Sequence, residues 1–262
     1  MRVFKRNKVA IPTIDHFFTP FDTTPVASQL PDRFTMLVNN KPHALCLLAA
    51  EQLQTHLTNQ EEWQHNFGLS DNNETIIGKM FGVLVVTDQQ NEIGYLAAFS
   101  GKLAGGNHHE KFVPPVFDSL ANNSFLNNGM EELSRINQDI KKLDPADDVQ
   151  INILKTIRKN HSIALQEELF DNYHFLNQAG KEKSLREIFT TASYKNPPSG
   201  AGECAAPKLL QYAFQHNFKP VALAEFWWGL SPKSNFWQHG HFYPCCREKC
   251  EPILAHMLIG IN

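Results

Sequence analysis

Apolar residues recur every three or four positions in several stretches of the chain, which is the spacing of one face of an α-helix. Three of these stretches begin at or near a proline, and the first turn of a helix tolerates proline because its missing amide hydrogen is not needed there. The pattern predicts helices over 43–58, about 130–143, about 151–173, 182–191, 204–216 and 249–258.

A second pattern, runs rich in β-branched and aromatic residues, marks three strands. Residues 80–87 and 93–99 are separated by a short polar segment, so they predict a β-hairpin. Residues 220–228 form a third apolar run and predict a buried strand. Because this strand lies between two predicted helices, the last third of the chain favours a layered α/β domain.

The predicted elements fill one domain over residues 42–262, with two additions. Residues 1–41 contain four prolines and little periodicity, so we expect an extended N-terminal arm laid over the domain. The helices between about 127 and 192 predict a helical hairpin inserted after the β-hairpin. Residues 101–127 are irregular and predict a long loop, a feature often connected with function.

The charge balance is not that of a dedicated nucleic-acid binder. The chain carries 24 Lys and Arg against 27 Asp and Glu, a formal net charge of -3, so contact with RNA requires a local basic patch. Lys155, Arg158 and Lys159 stand at i, i+3 and i+4 of a predicted helix and form one candidate patch; an ordinary solvated helix face gives the same pattern. The basic amino end is not followed by an apolar leader, and no run of eighteen apolar residues occurs. We therefore expect a cytoplasmic protein without a membrane partner.

Five cysteines, at positions 46, 204, 245, 246 and 250, form no framework of spaced pairs. Cys204 and Cys250 each stand shortly before a proline of a predicted first turn, where the helix dipole favours the thiolate. Cys246 lies four residues before Cys250, a spacing that points both sulfurs the same way in a helical turn. The three thiols predict a zinc site with His239, His241 or water as the fourth ligand. Thiols packed as small apolar groups, or a redox centre, are the alternatives.

The order of the elements resembles that of zinc-dependent nucleobase deaminases, in which a helix and a β-hairpin precede a helix with one ligand, a strand, and a helix that begins with two cysteines. The fold expected from this likeness is α/β: a three-layer, cytidine-deaminase-like mixed sheet with the inserted helical hairpin and the extended arm. Those enzymes carry a glutamate two residues after the first ligand, where this chain has Ala206, whose methyl group cannot transfer a proton. Glu203 is a possible acid or base in its place. Glu225 interrupts the apolar strand and is a second candidate, although such a residue is commonly paired with an arginine or solvated.

Three longer phrases resemble the amino-terminal region of a bacterial subgroup of RluA-type RNA pseudouridine synthases. They are PSGAGECAAPKLLQYA at 198–213, AEFWWGLSP at 224–232 and HGHFYPCCREKCEPIL at 239–254. Shorter phrases extend the resemblance over nearly the whole chain: PHALCLLAAE at 42–51, GKMFGVLVV at 78–86 and FVPPVFD at 112–118.

The catalytic half of that family carries an Arg-Leu-Asp motif that this chain lacks. The nearest string, at Lys142 to Asp144, lies in a predicted turn between helices. The resemblance therefore implies a non-catalytic accessory region of an RNA pseudouridine synthase, inactive alone. It would be stabilised by zinc and would engage structured RNA, with rRNA as the expected class, beside a synthase catalytic domain in cis or in trans.

Two other functions stay open at the level of the sequence. A zinc-dependent, deaminase-like hydrolase of nucleobases would use water as the fourth ligand, so an open three-cysteine site favours it and closure by His239 or His241 favours a structural role. A protein-interaction domain without metal is the third possibility. The aromatic residues Trp227, Trp228 and Trp237 could stack on bases, or could belong to the core around the strand.

Overall fold

The centre of the protein is a sheet of five strands. The computed structural model describes residues 15–23, 25, 29–37, 41–70, 75–121, 124–191 and 196–261. The strands are β1 (Thr19–Pro20), β2 (Lys79–Thr87), β3 (Ile93–Phe99), β4 (His174–Leu176), β5 (Glu182–Ser184), β6 (Lys219–Trp228) and β7 (Phe242–Tyr243). The sheet has the order β1-β3-β2-β6-β7, and β4 and β5 form a separate pair. The β2–β3 hairpin and strand β6 are thus found where the sequence predicts them.

All four pairings within the large sheet are antiparallel. The expectation of a mixed sheet is therefore wrong for these strands. The chain returns from β3 through the helical region and places β6 against β2, whose direction is opposite, rather than against β3, whose direction it shares. Parallel pairing is limited in the described residues to one isolated bridge between Thr35 and Ala222.

Helices pack on both faces of the sheet. They are α1 (Ala44–Asn59), α2 (Phe125–Lys142), α3 (Asp148–Asp171), α4 (Leu185–Thr191), α5 (Ala205–Gln215) and α6 (Glu251–Met257). Because side chains alternate along a strand, Val83 and Val85 face α1, whereas Leu84 and Leu223 face the core formed with α4, α5 and α6. The coarse prediction of an α/β domain is confirmed.

Helices α2 and α3 pack on each other as the predicted helical hairpin. Ser124 caps α2 through its hydroxyl group and Asp147 caps α3 through its carboxylate. The predicted helix over 182–191 is correct only from Leu185 onward. Its first three residues form β5, because a tight turn at Gly180, where φ is +75°, lets the chain fold back on β4.

The segment predicted as an arm contacts the sheet at both edges. Strand β1 pairs with β3, and Thr35 exchanges backbone hydrogen bonds with Val221 and Leu223 of β6. The carboxylate of Asp15 accepts a 2.8 Å hydrogen bond from the hydroxyl group of Tyr212 in α5. Residues 1–14 lie outside the described residues. No helix in the described part of the chain is both long and apolar enough to cross a membrane.

Candidate metal centre and its cavity

Three cysteines from distant parts of the chain meet at one point. The sulfur atoms of Cys204, Cys246 and Cys250 all lie within 4.8 Å of one another, and those of Cys246 and Cys250 are 3.3 Å apart. Cys250 is buried, Cys204 is half-buried and Cys246 is exposed. The sequence prediction that these three thiols converge is confirmed.

The start of α5 places Cys204. This residue is the N-cap of α5, yet its side chain caps no backbone amide. The first amides of the helix are satisfied from the sheet instead: Ala205 donates to the hydroxyl group of Ser100 at 3.2 Å, and Ala206 donates to the carboxylate of Glu225 at 3.1 Å. The sulfur of Cys204 is therefore free to act as a ligand.

Two glycines allow the close approach that this placement needs. A Cβ atom on Gly82 of β2 would lie 2.9 Å from the Cβ of Ala205, so α5 rests directly on the strand backbone. Gly202, two residues before Cys204, has a φ of +92°, and a Cβ there would meet the ring of Tyr173 at 2.8 Å. Both positions require glycine for the helix start to lie where it does.

A single turn places the other two cysteines. The amide of Cys250 donates to the carbonyl oxygen of Cys246 at 3.2 Å, and the amide of Glu251 donates to the same oxygen at 3.1 Å. This turn leads into α6, whose N-cap is Cys250 and whose first turn contains Pro252. The i, i+4 geometry expected from the spacing is therefore present, and both sulfurs lie on one side.

The three thiols of the cluster differ in their pKa values. Hydrogen bonding with Cys204 and Cys250 lowers the pKa of the Cys246 thiol well below its usual value. Contacts within the cluster and burial raise the pKa values of Cys204 and Cys250. Three adjacent thiols without a cation therefore cannot all ionise, whereas a divalent cation deprotonates its thiol ligands outright.

The donor set fits zinc. Zn²⁺ is bound by thiolates at about 2.3 Å, so two sulfurs of a tetrahedral site lie about 3.8 Å apart. One sulfur pair in the cluster is 3.3 Å apart and no pair is more than 4.8 Å apart, so the cluster has the dimensions of such a site. Soft sulfur ligands also select zinc over magnesium, calcium and manganese. The three side chains can therefore hold this ion without a large rearrangement.

Glu225 lies next to the cysteines on the α5 face of β6. The residue is buried, with 5% of its surface exposed, and no ion pair of the described residues includes it. The pKa of its carboxyl group is raised to about 7, chiefly by burial and also by the charge of Cys246, against the hydrogen bond from Ala206. The side chain therefore brings a carboxyl group that can be protonated near neutral pH to the edge of the cluster.

Glu203, the residue predicted as a possible acid or base, contacts Tyr173 and Lys208. Its carboxylate accepts a hydrogen bond from the hydroxyl group of Tyr173 and lies 3.5 Å from the ammonium group of Lys208. Lys208 is 2% exposed, and it also donates to the carbonyl oxygens of Phe99 and Gly101. Glu203 thus fixes the turn before α5, and Glu225 is the glutamate that lines the cavity beside the cysteines.

The structure does not bring His239 or His241 into the cluster. The Nδ1 atom of His239 accepts a 3.0 Å hydrogen bond from the amide of Gly229, and its ring lies 4.3 Å from that of Trp228. Only the three cysteines group as potential ligands in the part of the chain that the structure describes. The predicted fourth ligand His239 is therefore not supported, because the loop that carries it is tied to the end of β6.

The other two cysteines are not part of the cluster. Cys46 is fully buried in α1, where burial raises the pKa of its thiol to about 12, so it packs as a small apolar group. Cys245 lines the same cavity as Glu225, and burial raises its pKa to about 11. Neither thiol is poised to ionise at neutral pH.

A cavity of about 430 Å³ opens beside the cysteines and Glu225. Its other walls are formed largely by aromatic residues of β6, β7 and the loop between them, together with Met80, Ser100 and Lys249; the aromatic members are Trp227, Phe236, Trp237 and Tyr243. The ring of Trp227 stacks on that of Trp237 at 5.1 Å. The alternation of side-chain direction along β6 predicts that Glu225 and Trp227 share a face of the sheet. It does not predict that the loop between β6 and β7 folds over them.

The remaining predicted contacts lie on the helical hairpin. Lys155, Arg158 and Lys159 are all exposed on α3, and Arg158 donates a 2.7 Å hydrogen bond to the side chain of Asn137 across the hairpin. Lys142 is the last residue of α2 and Leu143 is its C-cap, so the string from Lys142 to Asp144 spans the end of the helix and the start of the connection to α3.

Comparison of the chain with protein-family models, with curated proteins and with solved structures finds no match in any of the three.

Proposed function

We propose that the protein is a zinc-binding α/β module that serves RNA modification. The observation that carries the zinc part is the convergence of Cys204, Cys246 and Cys250 within 4.8 Å. The RNA part is supported by the sequence resemblance to the amino-terminal region of RluA-type pseudouridine synthases. In this proposal the module engages structured RNA, such as rRNA, and a separate catalytic domain carries out the isomerisation.

Elemental analysis tests the zinc site. The purified chain is expected to hold one zinc ion, and Cys250→Ala is expected to hold none, because two thiolates make a much weaker site than three. Chelation should lower the thermal unfolding midpoint of the native protein and leave that of Cys250→Ala unchanged.

Cys46→Ala is the matched control, since it removes a thiol outside the cluster and should keep its zinc. A native protein without stoichiometric metal, or a Cys250→Ala variant that keeps it, would refute the site.

A second function, a deaminase-like hydrolase, is favoured by the position of Glu225. Its buried carboxyl group lies beside the three cysteines and lines the cavity, as a group that transfers protons to or from a substrate must. Zinc at such a site supplies Lewis-acid activation of a water ligand. Glu225 would replace the helix glutamate that is missing at Ala206, reaching the same helix start from the strand. The likeness to a cytidine-deaminase fold belongs to this proposal.

Release of ammonia tests the second function. Zinc-loaded protein is incubated with cytidine and adenosine, and with single-stranded RNA that contains both bases. If the proposal is right, ammonia is released by the native chain, and Glu225→Gln lowers the rate at least about a hundredfold because it cannot exchange a proton. Equal rates in the two proteins, or no ammonia from any substrate, would exclude the hydrolase.

A further inference from the structure

The loop between β6 and β7 presents two aromatic side chains over the cavity. The side chain of Phe236 is 64% exposed, which is unusual for so large an apolar group. The ring of Trp237 lies 4.8 Å from that of Phe236, edge to face. Phe236 and Trp237 also contact Tyr243, and Trp237 stacks on Trp227, yet most of the surface of Phe236 stays exposed beside the cavity and can stack on a ligand.

The loop is held in place rather than left free. The hydroxyl group of Tyr243 donates to the carbonyl oxygen of Phe236 at 2.7 Å and accepts from the amide of Gln238 at 2.8 Å. The end of the loop is fixed as well, since the amide of Gly240 donates to the carbonyl oxygen of Trp227 at 2.7 Å. The aromatic rings are thus preorganised, which lowers the entropic cost of binding a ligand between them.

The lining of the cavity also includes hydrogen-bonding and metal-ligating groups. Glu225 and Ser100 lie there with the cysteines, and Lys249 is the one cation among the lining residues of this cavity. Aromatic walls with a few polar groups at the bottom are typical of sites for a ring with a polar edge. The mostly apolar lining disfavours a phosphate or a carboxylate inside the cavity.

From these observations we infer that the cavity binds a nucleobase, stacked against Trp237 and Phe236 with its polar edge toward Glu225. The volume of about 430 Å³ lies in the range of cavities that hold small organic ligands and is enough for one such ring. The sugar and phosphate of the nucleotide would stay outside the apolar part of the cavity, and Lys249, a half-buried lining residue, is the cation available to them. The base could come from a free nucleoside or from single-stranded RNA, and the inference rests on the proposed function in RNA or nucleobase chemistry, for which it names the ligand of the cavity.

Binding measurements with the purified full-length chain test the inference. Cytidine and adenosine are titrated by quenching of tryptophan fluorescence, and a labelled single-stranded RNA octamer of mixed sequence is followed by anisotropy. The expected result is measurable binding that Phe236→Ala and Trp237→Ala each weaken at least about fivefold, since one base stacks on these rings. An RNA duplex of the same sequence should bind at least about tenfold more weakly, because its bases are already stacked.

Val149→Ala is the matched control for Phe236→Ala, because Val149 is an exposed apolar residue on α3, 74% exposed, that does not line the cavity. Binding of the octamer but not of the nucleosides identifies RNA as the source of the base, and binding of nucleosides alone identifies the small molecule. Failure of both probes to bind, or variants that bind as the native chain does, would overturn the inference.

Zinc is measured on the same samples, so that failure of the zinc site can be distinguished from failure of the base-binding site. Stoichiometric zinc without binding of any probe refutes the base site alone. Binding of the octamer by a chain that purifies without metal refutes the zinc site and leaves the aromatic cavity as the binding site.

Discussion

Glu225 is a buried residue whose ionised form destabilises the folded protein. Its carboxyl group is buried, accepts one backbone hydrogen bond and forms no ion pair with the described residues. Its pKa of about 7 exceeds the usual value of 4.5, so the folded state binds its proton more tightly than the unfolded state does. The contribution to stability is therefore fully present below about pH 4.5 and is lost as the pH rises through 7.

This pH dependence is expected in the metal-free protein. Glu225→Gln removes the ionisation and keeps an oxygen that can accept from Ala206. Between pH 4.5 and pH 8 the free energy of unfolding of the native chain should fall relative to that of the variant, by on the order of 3 kcal/mol. Denaturant titrations of both proteins at each pH give the difference. Parallel profiles would show that the carboxyl group does not ionise differently in the folded state.

At the scale of elements, the contact between α5 and β2 determines where the first ligand lies. Gly82 stands opposite Glu225 in the register of β2 and β6, and its bare backbone accepts the first turn of α5. The start of the helix then places Cys204 next to the turn of residues 246–250, which carries the other two cysteines. The close packing of helix on strand is thus part of what brings the three cysteines together, although Gly82 contributes no thiol.

A methyl group at this contact should disturb both stability and metal binding. Gly82→Ala places a Cβ 2.9 Å from Ala205 and 3.0 Å from the side chain of Leu209, so α5 must shift. We expect a loss of about 1–3 kcal/mol in the free energy of unfolding and a weaker affinity for zinc, measured by competition with a chromogenic chelator. Gly106→Ala is the control, because the nearest atom to its new Cβ would be 3.6 Å away. Unchanged zinc affinity in Gly82→Ala would separate this contact from the site.

At the scale of the whole molecule, local sequence patterns predicted most helices and strands. They did not predict which distant strands pair with each other. Periodicity and Pro207 gave α5 within one residue at each end, and Pro252 marked the first turn of α6 correctly. The convergence of three cysteines followed because each stood at a predicted helix start or one turn away from it. Strand β5 was missed because three residues carry too little periodicity to compete with the helix that follows.

The arrangement around the cysteines depended on tertiary contacts that no single segment encodes. Strand direction in the sheet depends on which edge β6 joins, and nothing in its own ten residues specifies that. Glu225 could be recognised as unusual in an apolar strand, but its place beside Cys204 follows from the pairing of β6 with β2 and the packing of α5. His239 was plausible from its position in the sequence, yet its loop is fixed to Gly229 and Trp228 instead.

The position of β6 in the sheet has a consequence for synthesis on the ribosome. This strand pairs with β2, yet about 130 residues separate the two along the chain. Because translation proceeds at about 5–20 residues per second, β6 is synthesised on the order of ten seconds after β2. During that interval the nascent chain exposes an apolar strand edge, which is the kind of surface that chaperones bind and that other chains can join. Efficient production of the protein therefore depends on protection of β2 until residue 228 has emerged.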